Sequence, residues 1–236
     1  MTVLVEKEAT VDLLHAALLV AKLDNEELDV AAYRMEVERM AREIDQSLPA
    51  AAGESARLTT LTGYLFAENG FHGSRTDYYN PSNSYLNEVI DDREGLPITL
   101  SVLFMEIGRR LGLNIVGVGM PGHFVVRHIP ANGEGQLIDV FNGGKPIPRG
   151  DAARIVRSIT GSPLRDEHLE TTDKRAIIVR MLRNLLGIAD ATTVDSDRVI
   201  RYLDTILAIS TGSGTRAPNA RFSTSTSPLN IQICTK

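Results

Sequence analysis

The run "GLPITLSVLFMEIGRRLGL", residues 95–113, constrains the chain more than any other. Leu100, Leu103, Phe104, Ile107 and Leu111 recur at helical spacing and predict a helix with one broad buried face. Pro97 suits the first helical position, where its missing N–H costs nothing, and Gly112 suits the stop. Three β-branched segments follow at 114–120, 123–129 and 136–141, the last two joined by a turn holding Pro130 and Asn132-Gly133. A buried helix followed at once by strands that turn back on each other predicts an α+β fold with an antiparallel sheet.

On either side the text is helical. Residues 9–48 read as two helices, the second capped by Asp24 or Asn25, and a third carries Leu58, Leu61, Leu65 and Phe66. The stretch 69–84 is rich in Gly, Asn, Asp and Ser, and a loop of that length inside a compact domain is often functional. Asn83 is placed to cap a short helix running to Ile90. After "NGGKPIPRGD" come two further helices, within 171–190 and 195–210. The expected division is a helical N-terminal part (1–68), a central core (69–165), a C-terminal helical pair (166–209) and a Ser/Thr/Gly-rich tail (210–236) with too little to bury to order.

Hydrophobic residues make up 43% of the 236, ample for a core, and the net charge is −5. Basic residues cluster only at Arg109-Arg110 and Lys174-Arg175, which argues against nucleic acid as a partner. The N-terminus lacks a signal-peptide pattern and no apolar run has the length of a membrane span, so a cytoplasmic location is expected. The one cysteine, Cys234, cannot form an internal disulfide. His123 and His128, five apart on a strand, point to opposite faces, and neither a metal nor another cofactor is expected.

The chemistry-bearing pair is His123 with Asp139. A five-residue loop from Ile129 to Gly133 would pair His128 with Glu134, Val126 with Gln136 and His123 with Asp139. The last two would share a face, close enough for an Nδ1–H to carboxylate bond that fixes the imidazole tautomer. A four-residue loop would separate them, and a His-Asp pair can also serve only to satisfy two half-buried polar groups. Thr99 and Ser101 are the hydroxyls within a turn of the Pro97 helix start, and neither has an evident activating partner. Asn83 and Asn87 share a helix face, and Arg93 is a rim charge.

The segments "LFAENGFHGSRTDYYNPSNSYLNEVIDDREGLPITLSVLFMEIGRRLGL", "GVGMPGHFVV" and "LIDVFNGG" resemble the SirB-type branch, bacterial, of the transglutaminase-like superfamily, over roughly residues 9–209. The resemblance implies a cysteine-proteinase-like core, with His123 as the superfamily's histidine and Asp139 as its acidic partner. Gly95, Ser101 and Arg109 match the marks flanking the superfamily's cysteine, and Pro97 falls where that cysteine would be. It also implies tetratricopeptide-like C-terminal helices, a pattern that the text after Ser210 abandons. A proline offers no nucleophile, so thiol chemistry at that position is excluded. Two functions follow. The preferred one is a pseudoenzyme whose cleft, lined by Asn83, Asn87, Arg93, Pro97 and Thr99 beside a vestigial His123 and Asp139, binds a peptide, a protein tail or a small polar ligand. The other is a hydrolase or acyl-transfer enzyme using His123 and Asp139 with Thr99, Ser101 or water.

Overall fold

The computed structural model describes residues 11–192 and 195–211. Helix α1 (Leu13–Lys22) is apolar on nearly every side and buries Leu13, Leu14, Ala17, Leu18 and Val20, the mark of a helix inside a core rather than over it. Helix α2 (Val30–Ser47) is amphipathic and presents Val37, Met40, Ala41 and Ile44. Its N-cap is Asp29, whose carboxylate accepts from the Ala31 and Ala32 N–H groups at 2.9 and 3.1 Å. Asp24, expected in that role, is engaged in a long-range cluster instead. Helix α3 (Glu54–Thr62) widens into a π turn at Gly63–Glu68.

The Gly-rich stretch that follows is pinned at both ends. Strand β1 (His72–Gly73) pairs in parallel with β2 (Glu94–Gly95), which lies just ahead of the buried helix. Between them a 3₁₀ turn at Pro81–Ser84 leads into α4 (Leu86–Asp92). Asn83 does not cap that helix: its Nδ2 donates to the Asp77 carbonyl at 2.7 Å, and its own carbonyl accepts from Leu96 N and Thr99 Oγ1 at 3.1 and 2.7 Å. It therefore ties the loop to the start of α5 (Pro97–Arg110).

Helix α5 is the axis of the molecule, buried without a break from Pro97 to Gly108. Pro97 opens it and Gly112, at φ 75°, closes it. Leu113 N bonds to Gly108 O at 2.9 Å and Gly112 N to Arg109 O at 3.1 Å, the paired bonds of a Schellman stop.

A five-stranded antiparallel sheet packs on α5. Its strands are β3 (Ile115–Val118), β4 (Val125–His128), β5 (Gln136–Asp139), β6 (Lys145–Pro146) and β7 (Thr171–Thr172), in the order β6-β5-β4-β3-β7. Phe124, Val126, Ile138 and Val140 join α5 in the main core, while Val118, Val125 and Leu137 meet Ala152 and Val156 of α6 (Arg149–Thr160) on the other face. Helix α6 and strand β7 were not foreseen. The helix buries only Ala152 and Val156 fully, yet Ala152, Ile155, Val156 and Ile159 recur at helical spacing, a local signal that sequence reasoning passed over. The strand is two residues long.

Helix α7 (Lys174–Thr192) lays Ile177, Ile178, Met181, Leu182 and Leu185 into the main core, and α8 (Ser196–Thr211) adds Tyr202 and Ile209. The Ser/Thr-rich text from 212 and Cys234 lie outside the described residues. Among the described residues no helix is long and apolar enough to cross a membrane.

Candidate functional site

His123 stands at the end of a tight turn rather than in a strand. Its N–H bonds to Met120 O at 3.2 Å. Gly122 makes the turn at φ 72°, and a Cβ there would lie 2.4 Å from Ile159 Cγ2 of α6, so both conformation and space demand glycine. From α7, Arg180 reaches over, and its Nη2 donates to Met120 O at 3.1 Å and to His123 O at 2.8 Å. The guanidinium lies 5.3 Å above the Phe124 ring and has no carboxylate partner among the described residues. It holds the histidine's backbone in place.

Asp139 ends β5 and is fully buried; His123 is 8% exposed. His123 Nε2 lies 3.2 Å from Asp139 Oδ2. The carboxylate also accepts from Asn142 N at 3.2 Å and from Asn142 Nδ2 at 2.5 Å. Burial pushes the Asp139 carboxyl upward, but the His123 and Asn142 donors outweigh it and hold it below the ordinary carboxylate value. The acid is therefore ionised near neutrality and accepts only, so the proton of the bond is carried by Nε2. Nδ1 makes no hydrogen bond to any described residue.

Two details differ from expectation. The carboxylate binds Nε2, not Nδ1. The register is also displaced by two residues, with Val126 opposite Ile138 and His128 opposite Gln136. Ile129 N still bonds to Asn114 O at 2.8 Å and Ala131 N to the Glu54 carboxylate at 3.1 Å, so the chain runs on before it reverses. An even displacement preserves which residues share a face, and the pair therefore forms on a diagonal.

The Gly-rich loop covers the pair. Phe141 sets its ring at 85° to His123, centroids 6.1 Å apart, and packs edge-on against Tyr78 at 6.3 Å. Gly73 lies beneath it, where a Cβ would be 2.3 Å from Phe141 Cδ2. Arg75 stacks on the same ring at 5.3 Å and donates to Asn142 Oδ1.

The remaining expected site residues are engaged elsewhere. Thr99 Oγ1 donates to Asn83 O at 2.7 Å and lies 3.1 Å from Leu96 O, and Ser101 Oγ donates to Pro97 O at 2.6 Å. Both hydroxyls are fully buried and neither bonds to His123. Asn87 donates to the Glu88 carboxylate at 2.7 Å and lines a separate hollow of about 260 Å³ with Asp24 and Tyr85. Arg93 is exposed, at φ 61°, and bonds to Asn69 O at 2.8 Å. Among the described residues no three His, Cys, Asp or Glu side chains could hold a metal ion. Sequence reasoning passed over Asn142, Phe141, Arg75 and Arg180. Asn142 and Phe141 sit in "DVFNGG" within reach of Asp139, a local signal, whereas nothing near Arg180 in sequence marks it.

Residues 31–183 match the profile of the transglutaminase-like superfamily. The UPF0162 protein of Xylella fastidiosa strain 9a5c is 34% identical over 86% of this chain and 73% of its own length. That of Vibrio cholerae is 27% identical over 72% of this chain and 64% of its own. Human F-box only protein 21 is 28% identical over 66% of this chain but only 26% of itself. On the strength of the matched profile and the Xylella relative, the chain belongs to the transglutaminase-like superfamily.

Proposed function

We propose that this protein binds rather than transforms: a transglutaminase-like cleft without a thiol, in which the His123–Asp139 pair serves recognition of a peptide, a protein tail or a small polar ligand. The observation that carries the reading is the commitment of the helix-start hydroxyls. Thr99 and Ser101 are tied to backbone carbonyls, and Pro97 has no nucleophilic atom. His123 Nδ1 has no hydrogen-bond partner among the described residues, and in the neutral ring held by Asp139 through Nε2 it would be an acceptor. That atom suits an N–H or O–H donor, such as a peptide amide, and the aromatic faces of Phe141 and Tyr78 beside it suit an apolar neighbour.

The same unengaged nitrogen supports a second reading, hydrolysis by a water that His123 deprotonates. One experiment separates them. Wild type and His123→Ala are compared for melting temperature, for capture of members of a synthetic peptide library, and for turnover of an ester and amide panel. Peptide capture by wild type alone, with matched melting temperatures and no turnover by either, is the expected result. Turnover by wild type that disappears in His123→Ala replaces the binding reading with the hydrolytic one. A variant that only melts lower reduces the pair to a structural role.

A further inference from the structure

Phe141 and Asn142 also line a hollow of about 480 Å³ that His123 does not line, a size typical of small-ligand sites. Its apolar wall comes from three elements: Phe66 from the π turn, Phe71 ahead of β1, and Phe141 after β5. Its charged residues are cations. Arg75 and Lys145 line it and no aspartate or glutamate does, although the chain as a whole carries a net charge of −5. Neither cation forms an ion pair with any described residue. Lys145 stands opposite Asp139 in the β5–β6 ladder, but that carboxylate is buried and taken up by His123 and Asn142. Arg75 is positioned over the Phe141 ring and by a bond to Asn142 Oδ1. Its orientation is set while its other N–H groups remain uncommitted, which is how a guanidinium is prepared to meet a planar or tetrahedral anion. His72 also lines the hollow, but it faces Glu94 across the β1–β2 pair, so the charge argument rests on Arg75 and Lys145.

We infer that this hollow is a binding site for a small anion borne on an apolar body: a carboxylate or phosphate monoester held by Arg75 and Lys145, with a ring or short aliphatic group against Phe66, Phe71 and Phe141. The site adjoins the recognition proposed for His123 through Phe141 and Asn142 but rests on the two cations, so either reading can fail alone.

The test uses the full chain and three probes: phenyl phosphate, 3-phenylpropionate and the neutral 3-phenylpropanamide. Binding is followed through the backbone amide resonances of Gly73, Asn142, Gly143 and Lys145. Saturable shifts centred on these residues are expected with at least one anion, and the stronger of the two identifies the head group. The neutral amide should bind at least about tenfold more weakly, as should the Arg75→Gln/Lys145→Gln variant, the loss expected when a charge-assisted hydrogen bond is removed. Affinity should fall as salt is raised. Arg75→Lys, which keeps the charge but loses the fork, should fall between. Equal affinity for the neutral amide overturns the proposal. So does unchanged binding by a double variant whose melting temperature matches wild type, or the absence of shifts at these residues with either anion.

Discussion

Asp24 and Asp139, two carboxylates with little access to solvent, are used differently. Asp24, just after α1, receives the Tyr85 hydroxyl at 2.5 Å, the Tyr202 hydroxyl, and Arg201 Nη2 at 2.9 Å, with Arg198 Nε at 3.4 Å. The two tyrosine hydroxyls also meet at 3.1 Å. The cluster joins the end of α1 to the start of α4 and to α8, and Asp24 has four donors around its two oxygens. Burial and the Asp24 carboxylate push the Tyr202 hydroxyl up to about 12. Asp139 is as well satisfied, by His123 and Asn142, but His123 keeps a nitrogen that no described residue uses. Both acids are held below the ordinary carboxylate value against the opposing effect of burial. A lowered pKa therefore does not distinguish the two clusters; the ring nitrogen that no described residue uses does.

The widest gap between the two sites should appear in stability. Asp24→Ala removes the shared acceptor of the buried Tyr202 hydroxyl and the half-buried Tyr85 hydroxyl, and should cost about 2–4 kcal/mol, read from the urea midpoint. Tyr202 is 1% exposed, so its hydroxyl has little access to water as a replacement. A loss under about 0.5 kcal/mol would show that the cluster ties nothing together. Asp139→Asn is nearly isosteric and should cost less, about 1–3 kcal/mol, while removing the fixed tautomer of His123 and with it any peptide capture.

Acid should close the second gap. The Asp139 carboxyl has a folded pKa below its unfolded value of about 3.9. Its contribution is fully present above that value and is lost as pH falls through the lower folded one. The stability difference between wild type and Asp139→Asn should therefore shrink as pH drops below about 4. A difference that holds constant down to the acid limit would mean the carboxylate's charge contributes nothing.

What the sequence made legible follows the range of the interaction. Helix α5 was readable to within a residue at each end because its Pro97 start, apolar period and Gly112 stop are local signals. The His123–Asp139 pair was readable because parity survives a register error of two residues; an error of one would have lost it. Asp24 was misjudged as a helix cap because its partners Tyr85 and Tyr202 lie 61 and 178 residues away, and an Asp before a helix looks the same whether it caps locally or binds at a distance. Asn83 failed in the same way. Its side chain turns back to Asp77 while its carbonyl reaches forward to Leu96 and Thr99, a choice made by tertiary packing. Arg180 had no local signal at all, since its role exists only once α7 lies over the 120–123 turn.

The smallest effect falls on the residue that would matter most to a hydroxyl enzyme. Ser101 Oγ donates to the Pro97 carbonyl one turn earlier at 2.6 Å and is fully buried. Such a back-bond competes mildly with the helix it sits in, and alanine has the stronger helix preference by about 0.5 kcal/mol. Ser101→Ala loses one hydrogen bond and gains that preference, so stability should change by no more than about 1 kcal/mol, and peptide capture should not change. The comparison is sharp because Asp139→Asn, on the other partner of a supposed triad, should abolish capture. If Ser101→Ala instead removed an ester-cleaving activity that wild type possessed, the hydroxyl would have to leave Pro97 O and reach His123 Nδ1. The unused nitrogen would then be a catalytic base rather than a recognition point.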